Sequence, residues 1–157
     1  RKAANFGIGG DMTQNVLWRI LNGEAEKIAP KVAVLMIGTN NFGLKNDAPD
    51  PVARGIALIV QTLRKKIPKC KVLLLGIFPR DQLPDTDYRK RIQKVNAQIA
   101  KLDNKKEVRF LDIGPKLLPP DGSLAQDISP DSIHLTEKGY AIWAETMEPL
   151  LKEMLGE

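Results

Sequence analysis

The only histidine of this 157-residue chain, His134, stands three residues after an aspartate, in the run Asp131-Ser132-Ile133-His134. If this loop curls, the carboxylate can accept a hydrogen bond from one imidazole nitrogen. That contact fixes the tautomer and leaves the other nitrogen free to act as a general base. A lone histidine is more often structural, so the spacing alone only makes Asp131 and His134 candidates for proton transfer.

Two other segments carry groups that could bind a negatively charged oxygen. Asn5–Asp11 contains three glycines in four residues, which lets backbone N–H groups come close to a ligand. Gly38–Asn41 contains Asn40, whose side-chain amide can donate a hydrogen bond from the end of a strand. Each segment alone is equally well explained as a tight turn. The glycine spacing also differs from the GxGxxG motif of dinucleotide-binding proteins.

As a set, the three segments indicate acyl-transfer chemistry. Backbone N–H groups from a glycine turn, an asparagine amide and an aspartate–histidine pair are the parts that such catalysis requires, apart from a nucleophile. These groups have to meet at one place. In parallel α/β sheets that place lies outside the carboxyl ends of the strands, so the elements between the segments should form such a sheet.

The apolar pattern predicts this sheet, because strongly apolar runs alternate with amphipathic helices. The predicted strands are Val32–Ile37, Val72–Gly76 and Val108–Asp112. Helices are predicted over residues 15–21, over residues 52–67 after an Asp50-Pro51 start, over residues 88–102, and from the N-cap Thr136 to Met154. The apolar stripe of the last helix begins with Tyr140 and is expected in the core.

Composition argues against several classes of function. The single cysteine, Cys70, allows no internal disulfide; with only one histidine, it also argues against a zinc site, so we expect a structural thiol. The formal net charge is +5, but the basic clusters 64–71, 89–94 and 101–109 fall on polar helix faces, and only 5% of residues are aromatic. We therefore expect a solvated basic surface and no nucleic-acid binding. No apolar run approaches the roughly 18 residues of a membrane span.

With these motifs in this order, the sequence resembles the SGNH hydrolase superfamily, which includes the GDSL lipases and esterases. The glycine turn matches the second block of that family, Gly38–Asn41 the third, and Asp131-x-x-His134 the last. The residues within and around these motifs resemble one branch in particular, the catalytic subunits of platelet-activating-factor acetylhydrolase isoform Ib and their bacterial relatives. The segments that carry this closer resemblance are Asn5–Asp11, Val16–Arg19, Gly38–Asn41, Leu75–Arg80 and His134–Thr136 with Gly139-Tyr140.

The resemblance implies a three-layer α/β/α fold with a flavodoxin-like parallel sheet, and it gives each candidate residue a role. Gly10 would supply a backbone N–H to the oxyanion hole, and Asn40 a side-chain N–H. His134 would be the general base and then the general acid, with Asp131 orienting its ring. The reaction needs no metal and no organic cofactor.

The resemblance also implies that the nucleophile lies outside this sequence. In the family the serine belongs to a Gly-Asp-Ser block that follows the first strand of a sheet ordered 2-1-3-4-5. By family spacing, that block would precede Arg1. The 157 residues are therefore expected to form one N-terminally incomplete domain that lacks the first strand and leaves an edge of Val32–Ile37 unpaired. The serines that are present stand in no such block and are not expected to replace it: Ser123, Ser129 and Ser132.

Two functions follow from these observations. The first is hydrolysis of a small ester, in which a short acyl group such as acetyl is removed from a lipid or a carbohydrate through an acyl-serine intermediate. The alternative is a non-catalytic member or fragment that binds acyl or sugar ligands, and the absent serine is its sole support. The resemblance further implies that a homodimer can form.

Overall fold

The computed structural model describes residues 2–157. In that part of the chain, three strands form one parallel sheet and five α-helices accompany it, which confirms the predicted parallel α/β architecture. The strands are β1 (Val32–Leu35), β2 (Lys71–Leu75) and β3 (Val108–Leu111). The helices are α1 (Thr13–Arg19), α2 (Thr39–Lys45), α3 (Pro49–Lys66), α4 (Asp87–Ile99) and α5 (Glu137–Leu155). A π-helical turn, Ile20–Glu24, extends α1, and 3-10 turns follow α4 at Ala100–Leu102 and β3 at Gly114–Lys116.

The sheet has the order β1-β2-β3, so β2 is the central strand. The two parallel ladders begin with Val32 opposite Lys71 and with Val72 opposite Val108. Among residues 2–31 no strand is formed, and in the described part of the chain β1 pairs with β2 alone. One edge of β1 is therefore open, and Val34 in the middle of this strand is 42% exposed.

The side chains of β2 show why the protein has three layers. Val72 and Leu74 belong to the apolar cluster that also contains residues of α3 and α4. Leu73 and Leu75 belong to the cluster that contains the apolar stripe of α5. All four are buried, as expected of a central parallel strand that is covered on both faces. The sheet thus lies between α3 and α4 on one face and α5 on the other.

Several local predictions differ from the structure. Each strand ends one or two residues before the predicted end. Helix α3 begins at Pro49 with Ala48 as its N-cap rather than at Asp50, since the fixed φ of proline suits the first helical position. The segment after β1, for which no helix is predicted, forms α2. Tyr140 is 56% exposed and stacks on Trp143 with ring centroids 5.7 Å apart, so it is not a core residue.

The prediction of a solvated basic surface is only partly right. Arg89 is 5% exposed, because it lies on the same face of α4 as the buried Ile92. Arg64 donates to the carbonyl oxygen of Cys70. Cys70 itself is buried, and burial raises the pKa of its thiol, which fits a structural role. Within residues 2–157, no helix combines the length and the apolar character that crossing a membrane requires.

Candidate active site

A single carboxylate organises the loop that carries the histidine. Asp131 Oδ2 lies 2.6 Å from His134 Nδ1. Asp131 Oδ1 accepts hydrogen bonds from the backbone N–H of Ile133, at 3.0 Å, and of His134, at 2.7 Å. These three contacts stabilise the ionised carboxylate; the imidazole contact has the largest effect, and together they lower the pKa of Asp131. The spacing of three residues thus lets one side chain fix both the backbone and the ring of the histidine.

Hydrogen bonds of Thr136 hold the histidine loop (Asp131–His134) at the start of α5. Thr136 caps this helix as predicted, since its Oγ1 accepts from the N–H of Gly139 at 3.3 Å. The N–H of Thr136 donates to the carbonyl of Ile128, 2.9 Å away, and its Oγ1 donates to the carbonyl of Asp127, 2.6 Å away. These contacts close the loop at its base. The imidazole of His134 remains exposed, so its second nitrogen, Nε2, is accessible from outside.

The glycine turn presents a free backbone N–H at Gly10. The N–H of Asp11 donates to the carbonyl of Ile8 at 3.2 Å, which closes a β-turn with Gly10 at its third position. Gly10 has a φ of +82°, which an L-residue adopts only with strain. Among residues 2–157 its N–H has no hydrogen-bond partner. The turn is tied to α1 by Arg19, whose Nη1 lies 2.5 Å from Asp11 Oδ2.

Gly38 turns the chain sharply from β1 into α2, which places Asn40 in the first turn of the helix. A Cβ at Gly38 would lie 2.6 Å from Ile77 Cδ1, and its φ is +127°, so both space and conformation favour glycine. Asn40 Nδ2 donates to the carbonyl oxygen of Asp11 at 3.0 Å. Because Asp11 follows Gly10 directly, this contact brings the two predicted oxyanion donors to the same turn. The Asn40 amide keeps a second N–H for a ligand.

The structure therefore groups the predicted residues into two units. One unit holds Gly10 and Asn40, and the other holds Asp131 and His134. Asn40 follows the carboxyl end of β1, and Asp131 and His134 lie on the segment between β3 and α5, at the end of the sheet where ligands bind in parallel α/β folds. Gly10 precedes α1 and is linked to this end through the hydrogen bond between Asn40 and Asp11. Acyl transfer needs hydrogen-bond donors and a proton acceptor; the first unit can supply the donors and the second the acceptor.

Comparison with known proteins identifies the family. The model of the GDSL-like lipase/acylhydrolase family matches residues 1–142. The chain belongs to this family. The alpha1 subunit of platelet-activating factor acetylhydrolase IB from Pongo abelii is 39% identical over 156 residues, which cover 99% of this chain and 66% of that protein. The alpha2 subunit from Rattus norvegicus is 40% identical over 159 residues, again covering 99% of this chain and 66% of the relative. This chain thus spans just under two thirds of each relative.

A solved structure supports the same fold. The GDSL-like lipase from Bacteroides thetaiotaomicron superposes with a TM-score of 0.78 at 23% sequence identity, over 94% of this chain and 74% of the other. At that identity the likeness concerns the arrangement of the elements. It confirms the expected SGNH hydrolase fold for the described residues.

Within this GDSL-family site, none of the three serines is hydrogen-bonded to the histidine. Ser123 Oγ donates to Asp121 Oδ1 at 2.7 Å. Ser129 is 1% exposed, and its Oγ has no partner among the described residues. Ser132 lies inside the histidine loop with a φ of +62°. Residues 2–157 also contain no group of three or more His, Cys, Asp and Glu side chains that could hold a metal ion.

Asn41 supports the candidate site, a role that the sequence analysis missed. It is 2% exposed, and its Oδ1 accepts from the first helical N–H of α1, that of Thr13, at 3.0 Å. Its Nδ2 donates to Asp47 Oδ2, 2.9 Å away, and to Gln14 Oε1, 3.1 Å away. Asn41 therefore joins α1 to α2 next to the predicted oxyanion donor Asn40. Its position next to Asn40, on the buried side of α2, is the signal that could have identified it.

Proposed function

We propose that the complete protein is a serine ester hydrolase that removes short acyl groups through an acyl-serine intermediate. The observation that carries this proposal is the placement of Asn40 and His134 in a GDSL-family fold. Asn40 shares the glycine turn with a free N–H of Gly10, and His134 is held by Asp131 with its Nε2 exposed. These are the groups that acyl transfer requires besides its nucleophile.

In the proposed reaction, the nucleophile is a serine of the whole protein that lies outside the 157 residues. Its hydroxyl oxygen attacks the ester carbonyl carbon while His134 Nε2 takes the hydroxyl proton. The carbonyl oxygen becomes negatively charged and accepts hydrogen bonds from Gly10 N–H and Asn40 Nδ2. Removing one such donor typically lowers the rate by about 10²–10³-fold.

The tetrahedral intermediate then collapses. The bond between the carbonyl carbon and the alcohol oxygen breaks, and the imidazolium of His134 gives its proton to the leaving alcohol. Water attacks the acyl-serine with His134 again as the base, and a second collapse releases the carboxylic acid and restores the serine hydroxyl. Asp131 stays ionised throughout and stabilises the imidazolium, as its lowered pKa favours.

The substrate is proposed to be a short acyl ester. Acetyl is the first choice, because the relatives that match nearly the whole chain are acetylhydrolase subunits. Hydrolysis assays with acetyl esters of a lipid and of a carbohydrate determine which alcohol the substrate carries. For the complete protein, we expect kcat/KM to be highest for acetyl esters and to fall as the acyl chain lengthens. Hydrolysis of octanoyl esters at or above the acetyl rate would reject the short-acyl proposal.

A non-catalytic acyl-binding or sugar-binding function is the second candidate. It is favoured by one observation, namely that none of the three serines is hydrogen-bonded to His134. The same assays separate the two candidates. Turnover of any of these esters by the complete protein, lost in the His134→Ala variant, supports the hydrolase. Saturable binding of acetyl esters without release of acid supports the binding function.

A further inference from the structure

Arg89 of α4 is a buried arginine that has no carboxylate as a hydrogen-bond partner. Its side chain is directed at two backbone carbonyls: Nε donates to the carbonyl of Arg80 at 2.5 Å, and Nη2 to that of Asp81 at 2.9 Å. Burial lowers the pKa of its guanidinium, because desolvation disfavours the charged form. An apolar side chain of similar size would avoid this desolvation. The arginine is therefore better explained by the two carbonyls than by packing.

Arg80 and Asp81, which accept hydrogen bonds from Arg89, lie between the two units of the site, and each of them contacts one unit. Arg80 Nη1 donates to the carbonyl of Thr39 at 3.2 Å, directly before Asn40 in the first turn of α2. The Arg80 guanidinium also lies over the ring of Tyr88, 4.3 Å from its centroid, which holds it in place. Arg80 therefore connects the loop after β2 to the oxyanion-donor unit.

Asp81 makes the connection on the other side. Its backbone N–H donates to the carbonyl of Ser132 at 3.2 Å, inside the loop that Asp131 and His134 define. Asp81 has a φ of +65°, a left-handed conformation that needs support from its surroundings. The donation from Arg89 to its carbonyl supplies that support.

We propose that Arg89 is a positioning residue that sets the placement of Asn40 relative to His134 by fixing the Arg80-Asp81 segment between them. This inference rests on the proposed ester hydrolysis for its kinetic consequence, but not for its structural one. Misplacing reacting groups by about 1 Å can lower a rate about 100-fold. Arg89 touches neither the donors nor the base, so its loss should lower kcat and leave substrate binding nearly unchanged.

The test uses the complete protein with Arg89→Met, Arg89→Lys and the control Arg109→Lys. Lysine keeps the charge but lacks the fork that spans two carbonyls. Arg109 is a partly buried arginine of β3 that pairs with Glu153, 2.5 Å away, at the opposite end of the strands from the site. Two quantities are measured for each variant: kcat and KM on an acetyl ester, and the hydrogen-exchange rates of the Asp81 and His134 amides.

For Arg89→Met we expect kcat to fall about tenfold or more with KM within about twofold, and both amides to exchange about tenfold faster or more, while amides within β2 keep their rates. The kcat and the two exchange rates of Arg89→Lys should lie between those of Arg89→Met and the wild type. Those of Arg109→Lys should equal the wild-type values. Wild-type kcat in Arg89→Met would overturn the proposal, as would unchanged exchange at Asp81 and His134, or an equal rise in exchange throughout the protein.

Two further outcomes are also decisive. If the wild-type protein hydrolyses no ester, the proposed function fails, whereas the exchange rates still decide the role of Arg89. If Arg89→Met does not fold, Arg80→Ala tests the same bridge from its other end, since it removes the donor to Thr39 and keeps the backbone carbonyls that Arg89 holds. We then expect lower kcat at unchanged KM and faster exchange of the hydrogen-bonded amides of α2, and wild-type values for both would overturn the proposal.

Discussion

Asp131 binds His134 twice, through the imidazole Nδ1 at 2.6 Å and through the backbone N–H at 2.7 Å. One carboxylate therefore fixes the tautomer of the ring and the path of the loop together. The free ring nitrogen, Nε2, is the one that can accept a proton from a nucleophile. The geometry of this pair is the basis of the proposed role of His134 as the general base.

Replacing His134 by alanine should remove this base. In the complete protein, we expect His134→Ala to lower kcat for acetyl ester hydrolysis by about 10³-fold or more, because the serine hydroxyl loses its proton acceptor. Thermal unfolding should change little, since the imidazole is exposed. Steady-state kinetics and a melting curve check both expectations. Turnover at the wild-type rate would remove His134 from the mechanism.

The lowered pKa of Asp131 gives a prediction about pH. The side-chain carbon of Asp131, followed by NMR from pH 6 towards the acid unfolding transition, should titrate below the value of about 3.9 that is usual for aspartate. The ionised carboxylate favours the folded state. Its contribution to stability is therefore complete above that usual value and is lost as the pH falls through the lowered pKa. In His134→Ala the titration should move upward, because the imidazole contact is the largest cause of the shift. An unmoved titration would contradict the pairing.

Asn40 and Asn41 are neighbours, but replacing them by alanine is expected to affect different properties: activity for Asn40 and stability for Asn41. Asn40→Ala removes the proposed oxyanion donor and should lower kcat at least about tenfold, and up to the 10²–10³-fold typical of such donors, with the fold intact. Asn41→Ala leaves the buried N–H of Thr13 without its acceptor and should lower the free energy of unfolding by about 1–3 kcal/mol. Kinetics and urea unfolding of both variants measure these effects. Full activity of Asn40→Ala would mean that Asn40 serves only the turn.

Gly38 should not tolerate a side chain. Gly38→Ala places a methyl group 2.6 Å from Ile77 Cδ1 and 3.1 Å from Val52 Cγ1. Overpacking of this kind typically costs about 1–3 kcal/mol. The positive φ of Gly38 adds to the loss. Urea unfolding checks this prediction, with Gly9→Ala as the control, because a Cβ at Gly9 meets no atom within 4 Å. Equal stability of the two variants would contradict the packing around Gly38.

The sequence predicted the sheet well because β2 is covered on both faces. A buried parallel strand leaves an uninterrupted apolar run in the sequence, such as Val72–Leu75. The cap at Thr136 was also predictable, since its hydroxyl acts within one turn of its own helix. Both signals are local in the sequence.

Features that depend on distant residues were not predictable in the same way. Helix α2 contains two asparagines and Gly43, which are poor helix formers, and it persists because Asn41 and Phe42 are buried against other elements. Arg89 was assigned to the surface by its charge. Its carbonyl partners lie in a loop whose path depends on tertiary contacts. Such contacts leave no periodic pattern in the chain.

The most direct test of the proposed function is to locate the reactive serine. The complete protein is treated with a fluorophosphonate, which forms a covalent bond with the activated serine of serine hydrolases, and the labelled peptide is identified by mass spectrometry. The proposal predicts one label, on a serine outside residues 1–157, that disappears in His134→Ala. Absence of a label, or a label on Ser123, Ser129 or Ser132, would contradict it.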